Sequence, residues 1–464
     1  MWWMLWLVGC GGEVDSEVAS STEALTYYRD AKPVIDAKCA TCHQPGDVGP
    51  FPMTTAEEVA AVGAISALAV ASNAMPPFLP SHDCNDYTTD YDLTPDEEAL
   101  LLAFFDAGSP AGDPATAVPS SIPDATLAAD RILRLPEPYT PQLEPDDYRC
   151  QLIDLELTEP TYVTGFQVWP DQRALVHHTI MYIAGDAERE TFLGYDDAEE
   201  GPGWTCYGGP RPADASTDSL DPADLAELLA DPDALTERLS AIRSLGGWVP
   251  GAQQGMLPEG TGILLHPGDQ LVVQMHYNTL SAAPVADQSE IALVTAPSVP
   301  YPATTLALID LAWPTGLALL GEPMDIPAGS PDASAEVVVD RDDPMFQQAL
   351  ANLGVGDDEP IRVHGAGVHM HQLGVDGRID VLEADGGESC VIHYPDWDFA
   401  WQGTHMLTDA VTLQPGDALR LRCQWDNTAA NQPVIDGTPM EPRDVTWGEG
   451  TTDEMCLGNL YVTR

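Results

Sequence analysis

Pro-Gly-Asp turns at 267–269 and 415–417 each stand directly before a run that alternates apolar and polar residues, Leu271-Val-Val-Gln-Met-His276 and Ala418-Leu-Arg-Leu-Arg-Cys423. Little except an antiparallel strand with one buried face satisfies a tight turn followed by period-two alternation. Similar runs, Gln151–Leu157 and Arg378–Leu382, recur from about residue 129 onward. They predict a mainly β protein with two consecutive antiparallel β-sandwich (jelly-roll-like) domains, at 129–298 and 299–464. Ala296–Pro302, which holds three prolines, is the expected hinge between them. The acidic stretch 186–245 interrupts the alternation, and Asp221–Ser244 within it reads as helix, so it is expected to be an insertion.

Before residue 129 the period changes, and 24–113 reads as a small α-helical domain. Thr94-Pro-Asp-Glu97 is a helix start: Thr94 caps, Pro95 takes the first helical position and Glu97 closes a capping box. Leu100, Leu101, Phe104 and Phe105 supply its apolar face, and Gly108 stops it. Ala56–Ala71 predicts another helix. Residues 114–128, rich in Pro, Ala, Ser and Asp, read as a linker. Within the helical part, Cys39-Ala-Thr-Cys42-His43 is the attachment pattern of a covalently bound heme c. Two thiols one helical turn apart bond the porphyrin, and His43 sits beneath the iron. Met75 is the expected sixth ligand, with His82 as competitor. The segment 39–114 resembles a small cytochrome c module. A redox dithiol and a zinc half-site are the other readings of the motif.

The chain carries 18 Lys+Arg against 74 Asp+Glu, a net charge of −56. Such a surface repels phosphate backbones, which excludes nucleic acid as a partner. No apolar run reaches the roughly 18 residues of a membrane helix. Residues 1–23 read as a signal and tether: Leu7-Val-Gly-Cys10 resembles the site at which bacterial lipoproteins are cleaved and acylated. The expectation is an exported lipoprotein, periplasmic or at the cell surface, attached to the outer membrane through Cys10. Of nine cysteines, Cys10, Cys39 and Cys42 then have other uses; six remain, and an oxidising compartment predicts disulfides among them.

The eleven histidines are not scattered evenly. His177 and His178 are adjacent; His276 stands in Gln274-Met-His-Tyr-Asn278; His369 and His371 flank Met370; Met455 lies in Asp453-Glu-Met-Cys456. Residues i and i+2 of a strand share a face, so His369 and His371 can reach one ion. His177 and His178 need a bend or a strand end to do the same. Imidazole suits copper and zinc, whereas a thioether selects Cu(I), so two His with a Met favour copper. His266 and His405 read as ordinary turn or strand histidines, and His364 is a candidate neighbour of His369.

In this order (HH, then Q-x-H-Y, then HxH-x-LG, then D-E-M-C) residues 130–464 resemble the copper type II, ascorbate-dependent monooxygenases, the family of peptidylglycine α-hydroxylating and dopamine β-monooxygenases. Cys423-Gln-Trp-Asp-Asn427, Trp397-Asp-Phe399 and Trp401-Gln402 also fit bacterial members. The resemblance implies two copper ions, one per β domain. His177, His178 and His276 would hold the electron-transferring copper, with Gln274 behind them. His369, His371 and Met455 would hold the copper where O2 meets a small-molecule substrate and a C–H bond is hydroxylated. It further implies a Cys423–Cys456 disulfide beside Met455. Cys150–Cys206 is a second expected pair; Cys390 is unassigned, and Cys84 is either free or paired with a later cysteine. The electron donor is expected to be ascorbate-like or a redox protein, acting through the heme. One departure bears on substrate: Gly367 stands where the peptide-hydroxylating enzyme has an Arg for its substrate's carboxylate, and Leu457-Gly458 displaces Asn459 and Tyr461. This argues against peptidylglycine. Two other classes compete: a non-catalytic copper- and heme-binding redox or sensor lipoprotein, and a hydrolase built on a three-His zinc site.

Overall fold

The computed structural model describes residues 24–464 apart from 47–48, 89–90, 123–126, 207–208, 213–241, 250–254, 280–281, 317–320, 436–437, 449 and 451. Cys10 and the rest of 1–23 lie outside the described residues, as does most of the expected helix 221–244. The end of that stretch is not helical: Ile242–Trp248 is a strand paired antiparallel with Val176–Ala184. Pairing with a neighbouring strand overrides local helix preference here.

The helical part forms as its start signals dictate. Ala56–Ala71 opens on Thr55 and Pro95–Asp106 on Thr94, each closed by a reciprocal capping box with Glu58 or Glu97. The turn Tyr27–Ala31 runs into a third helix, Lys32–Lys38, which leads to the CxxCH motif. Tyr27, Ile35, Val59, Leu101 and Phe104 form the core between them. Pro114–Thr116 makes one 3-10 turn after it.

The remainder is mainly β, in several antiparallel sheets. A nine-stranded sheet runs in the order Arg131–Arg134, Glu290–Ala296, Thr161–Trp169, Thr261–Leu265, Tyr301–Leu308, Leu457–Thr463, Ile361–His369, His405–Leu413, with Gly255–Met256 beside Thr161–Trp169. A five-stranded sheet has the order Trp204–Thr205, Asp146–Asp154, Gln270–Asn278, Val176–Ala184, Ile242–Trp248. Its Ile153, Met181, Leu271 and Val273 share a core with Val163, Ile263 and Ile291 of the large sheet. A four-stranded sheet (Ala333–Val339, Ala418–Trp425, Gly374–Leu382, Glu388–Tyr394) shares a second core with the other end of the large sheet, through Ile379, Leu421, Val368 and Leu460.

The expected hinge at 296–302 is a short crossover. Glu290–Ala296 ends as it begins, and Tyr301 already pairs in parallel with Thr261. Tyr461 Oη and Thr261 Oγ1, 2.8 Å apart and buried, add a second tie between the halves.

Among the described residues three disulfides are present: Cys150–Cys206, Cys423–Cys456 and Cys84–Cys390. The third assigns the two cysteines that sequence left open, and it joins the helical part to the C-terminal half. Residues 78–88 therefore pack on the second β core rather than on the helices. Phe78 and Leu79 lie against that core and Tyr87 is buried in it. Ser81 N donates to His393 O, Thr88 N to Met406 O and Thr408 N to Asp86 O, each at 2.8 Å. The Asn85 amide donates to the carbonyls of Cys390 and Val391 at 2.9 and 2.8 Å.

Candidate metal centres

His177, His178 and His276 come together at one end of the five-stranded sheet. In the pairing of Val176–Ala184 with Gln270–Asn278, Val176 faces Tyr277 and His178 faces His276, so His177 is the extra residue of a β-bulge. The bulge supplies the bend that two adjacent histidines need. His276 Nδ1 lies 3.1 Å from His178 Nδ1, which lies 3.4 Å from His177 Nδ1. Two imidazoles bound about 2.0–2.1 Å from a tetrahedral ion stand about 3.3 Å apart, so three nitrogens at this spacing fit one ion.

The surroundings select the metal-binding form of these rings. Burial pushes the His177 pKa down to about 4, helped by the charge of His276. Burial, then His276, His177 and His369, holds His178 well below its ordinary value. His177 and His178 are thus neutral, each with a lone pair to offer. His276 Nε2–H donates to Asp146 Oδ1 at 2.9 Å, which fixes the tautomer whose Nδ1 faces its partners. Burial alone would raise the Asp146 carboxyl, but the hydrogen bond and charge of His276, with the Asn278 amide, hold it below the usual range. Tyr148 stacks on His276 at 4.2 Å and sets the ring plane. Gln274 lies on the same strand, and its amide donates to Gly209 O at 3.0 Å.

The second group forms where the large sheet meets the loop before its Leu457–Thr463 strand. The strand Ile361–His369 ends at His369, so His371 sits in the connection that follows and not on the strand face. The rings still meet, with centroids 5.1 Å apart. His369 pairs in register with Leu457, two residues after the buried Met455, which brings the thioether's segment beside the histidines. His369 Nδ1–H donates to Gln402 Oε1 and His371 Nδ1–H to Asp453 O, so Nε2 is the atom each ring could offer a metal. Burial, with His369 beside it, lowers His371 to about 3. A thioether with two neutral imidazoles is a donor set for copper. His369 lies close enough to His178 that a charge on it would add to the lowering of the His178 pKa, after burial, His276 and His177.

Glu454, fully buried, ties the second group together. Its carboxylate accepts from His371 N at 2.8 Å, Leu373 N at 2.6 Å and Trp425 Nε1 at 2.8 Å. The adjacent Cys456 is fixed to Cys423. A Cβ on Gly367 would lie 2.6 Å from Gly403 O, so no side chain fits at that position. A cavity of about 350 Å³ opens nearby, lined by Gln372, Gly374, Trp397, Asp398, Phe399, Ala400 and Asn431. Phe399 stands 5.6 Å from the His371 ring. Gln372 Oε1 is buried without a hydrogen-bond partner among the described residues.

At the CxxCH motif, Cys39 and Cys42 form no disulfide. His43 Nδ1–H donates to Phe51 O at 2.9 Å, so Nε2 is the atom the ring could offer a metal, and Phe51 stacks on the ring at 4.9 Å. A Cβ on Gly49 would stand 2.8 Å from His43 Nδ1, so the glycine makes room for this arrangement. Two thiols and an oriented imidazole fit a covalent heme. His364 and His405 go elsewhere: His364 Nε2 meets Thr463 Oγ1 at 2.9 Å, and His405 Nδ1 meets Tyr394 Oη at 2.8 Å.

Asp146 and Glu454 carry these sites and were not singled out by sequence. Asp146 lies 130 residues from the histidine it orients, with no local pattern to mark it. Glu454 had a signal, since an acidic residue directly before a ligand invites the question of what it accepts from.

The family model for the C-terminal domain of copper type II ascorbate-dependent monooxygenases matches residues 349–463, the segment holding His369, His371 and Met455. This match points to a copper-dependent monooxygenase, an oxidoreductase working with O2, a substrate and an ascorbate-like donor. No curated protein sequence matches the chain. Among solved structures it is similar to the infectious bursal disease virus VP2 subviral particle, at 10% identity over 74% of each chain with a TM-score of 0.15. It is also similar to the Gt strain of that virus, at 12% identity over 75% of this chain and 76% of that one, TM-score 0.15. Likenesses at that score carry no argument.

Proposed function

We propose that this protein is a two-copper monooxygenase that hydroxylates a C–H bond of a small organic substrate with O2. The observation that carries the reading is the convergence of three Nδ1 atoms from His177, His178 and His276, in a chain whose family-matched segment brings the rings of His369 and His371 together near Met455. When bound, copper supplies one-electron redox chemistry and an open position for O2. The first set would hold the electron-transferring ion and the second the ion beside the substrate. Asp146, Gln402 and the Asp453 carbonyl orient the imidazoles. Glu454 and the Cys423–Cys456 bridge hold Met455 in place. The cavity at Trp397 and Phe399 would take the apolar part of the substrate, and Gln372 Oε1 would accept an N–H or O–H from it. The closed position at Gly367 leaves no room for an Arg, so recognition of a peptide carboxylate there is not part of the proposal.

The proposal extends to the rest of the chain. Each core shared between the large sheet and a smaller one is read as a β-sandwich. The helical part is read as a cytochrome c-like module, with heme on Cys39 and Cys42, His43 below the iron, and Met75 or His82 above it. It would pass electrons from an outside donor. The protein is placed outside the cytoplasm, anchored through lipid on Cys10; the disulfides support an oxidising compartment.

The test is metal and heme content of the purified protein beside Met455→Ala. Two coppers and one covalent heme per chain, with one copper weakened in the variant, are expected. Zinc in place of copper, or copper undiminished in the variant, refutes the assignment. Oxygen uptake with a reductant and a substrate panel then separates the enzyme from a redox or sensor protein on the same scaffold.

A further inference from the structure

We propose that electrons leave the CxxCH module through a packed line of side chains, Phe78, His405, Tyr394 and Trp397, and so reach the His369/His371/Met455 site directly instead of passing first through His177, His178 and His276. The inference rests on the reading above that heme and copper bind.

One candidate for the sixth iron ligand touches the start of this line, and the other is three residues away in sequence. The His82 ring stacks on Phe78 with centroids 5.5 Å apart. Met75 is three residues from Phe78, which even fully extended chain spans in at most about 11 Å. Either ligand would tie the iron's sixth position to the segment that carries Phe78.

From Phe78 the contacts continue without a gap. Its edge meets the His405 ring at 5.7 Å, and Tyr87 meets the same ring at 6.0 Å. His405 and Tyr394 are 5.6 Å apart and joined by the 2.8 Å hydrogen bond. Tyr394 meets Trp397 at 5.7 Å. Trp397 Nε1–H donates to the carbonyl oxygen of His371 at 3.1 Å, and His371 belongs to the second site. Tyr394, Trp397 and Tyr87 are buried. Tunnelling falls off steeply across voids and slowly through packed atoms, so a chain of touching rings is the favoured medium.

The line is also held rigid. Cys84 is bonded to Cys390, on the strand Glu388–Tyr394 that carries Tyr394. Tyr87 bridges to Leu407, two residues from His405. The disulfide and the hydrogen bonds of residues 81–88 thus fix this segment against the first residues of the line.

The step is a single electron transfer. Iron(II) becomes iron(III), copper(II) becomes copper(I), and no atom or proton changes hands. An outside one-electron reductant restores the iron. Phe78, His405, Tyr394 and Trp397 act as positioning residues, since none of them touches the substrate.

The experiment uses the full chain loaded with heme and copper, mixed anaerobically with less than one equivalent of a one-electron reductant. Ferrous-heme absorbance and the Cu(II) paramagnetic signal are followed together. The wild type should lose both in step. In His405→Leu the step should slow by roughly tenfold, a barrier change of about 1.4 kcal/mol. Trp397→Phe should slow it as well, and Tyr394→Phe, which keeps the ring and removes only the hydroxyl, should slow it less. Heme and copper contents, measured first, show that the variants are assembled. A chain lacking the first site, His177→Ala with His178→Ala and loaded with a single copper, should still oxidise its heme. Wild-type rates in both His405→Leu and Trp397→Phe overturn the route, as does loss of heme oxidation in the chain without the first site. Absence of covalent heme overturns the parent reading with it, and shows in the absorbance of the purified protein before any mixing.

Discussion

Replacing both Cys84 and Cys390 with Ser should loosen the helical module from the β core by an amount the structure allows one to work out. Although the bond spans 306 residues of sequence, in the folded protein both ends sit on ordered parts. The loop that docking closes is then essentially the linker 114–128, of about fifteen residues, for which a crosslink contributes about 3 kcal/mol. The contacts that survive are substantial. The hydrogen bonds of Ser81, Asn85, Thr88 and Thr408 contribute about 1 kcal/mol each, and burial of Phe78, Leu79 and Tyr87 about 1.5–3 kcal/mol each. The segment should therefore stay docked but open more often, by about a hundredfold. Amide hydrogen exchange at Thr88 and Thr408 reads this directly, because both amides are hydrogen bonded across the junction. Residues of the Gln270–Asn278 strand, remote from the junction, serve as the internal control. Unchanged exchange at Thr88 and Thr408 would refute the reasoning. So would equal acceleration at the control strand, which would mean the disulfide stabilises the whole fold and not this junction.

Other expectations follow from single contacts. Asp146→Asn removes the carboxylate that fixes the His276 tautomer, and copper affinity at the first site should drop by about 10- to 100-fold, measured by competitive titration. Gly367→Ala forces a Cβ to 2.6 Å from Gly403 O and should cost about 1–3 kcal/mol in denaturant unfolding; a neutral result would show that the two strands can part without penalty. Burial holds the His405 pKa at about 4, below its unfolded value of 6.5. The unfolded chain therefore binds a proton there between pH 4 and 6.5 that the folded one does not, and the associated stability is lost as pH falls through that window. His405→Gln should lose less stability than wild type between those pH values, and equal losses would show that the ring is not protected from protonation.

Much of the fold was legible because its signals are local. Thr94 with Glu97 set a helix start, and Pro-Gly-Asp followed by alternation set strands. The clustered histidines were legible as types and spacings, and the bulge that brings His177 and His178 together was foreshadowed by the need for a bend. What sequence could not show are contacts between remote segments. The Cys84–Cys390 bond joins residues with no shared pattern. Asp146 and Gln402 serve histidines far away in sequence, and the continuity of the large sheet depends on a three-residue parallel pairing, Tyr301–Ala303 with Thr261–Ile263, that no alternation announces. The expected helix ending at Ser244 failed at that end for the same reason: its last residues were claimed by a strand 60 residues upstream, through pairs such as Tyr182 with Ser244.

That large sheet has a mechanical consequence. A pair of domains on a loose tether would set the separation of their two histidine sites by diffusion, and the sites could approach or part with each cycle. Here a single hydrogen-bonded fabric runs beneath both, so it behaves as a ruler. Bringing the sites together would mean shearing the ladder at Thr261 and Tyr301 and breaking the bond between Thr261 and Tyr461. The separation of the two histidine groups is thus set when the chain folds, and it changes only if that ladder gives way.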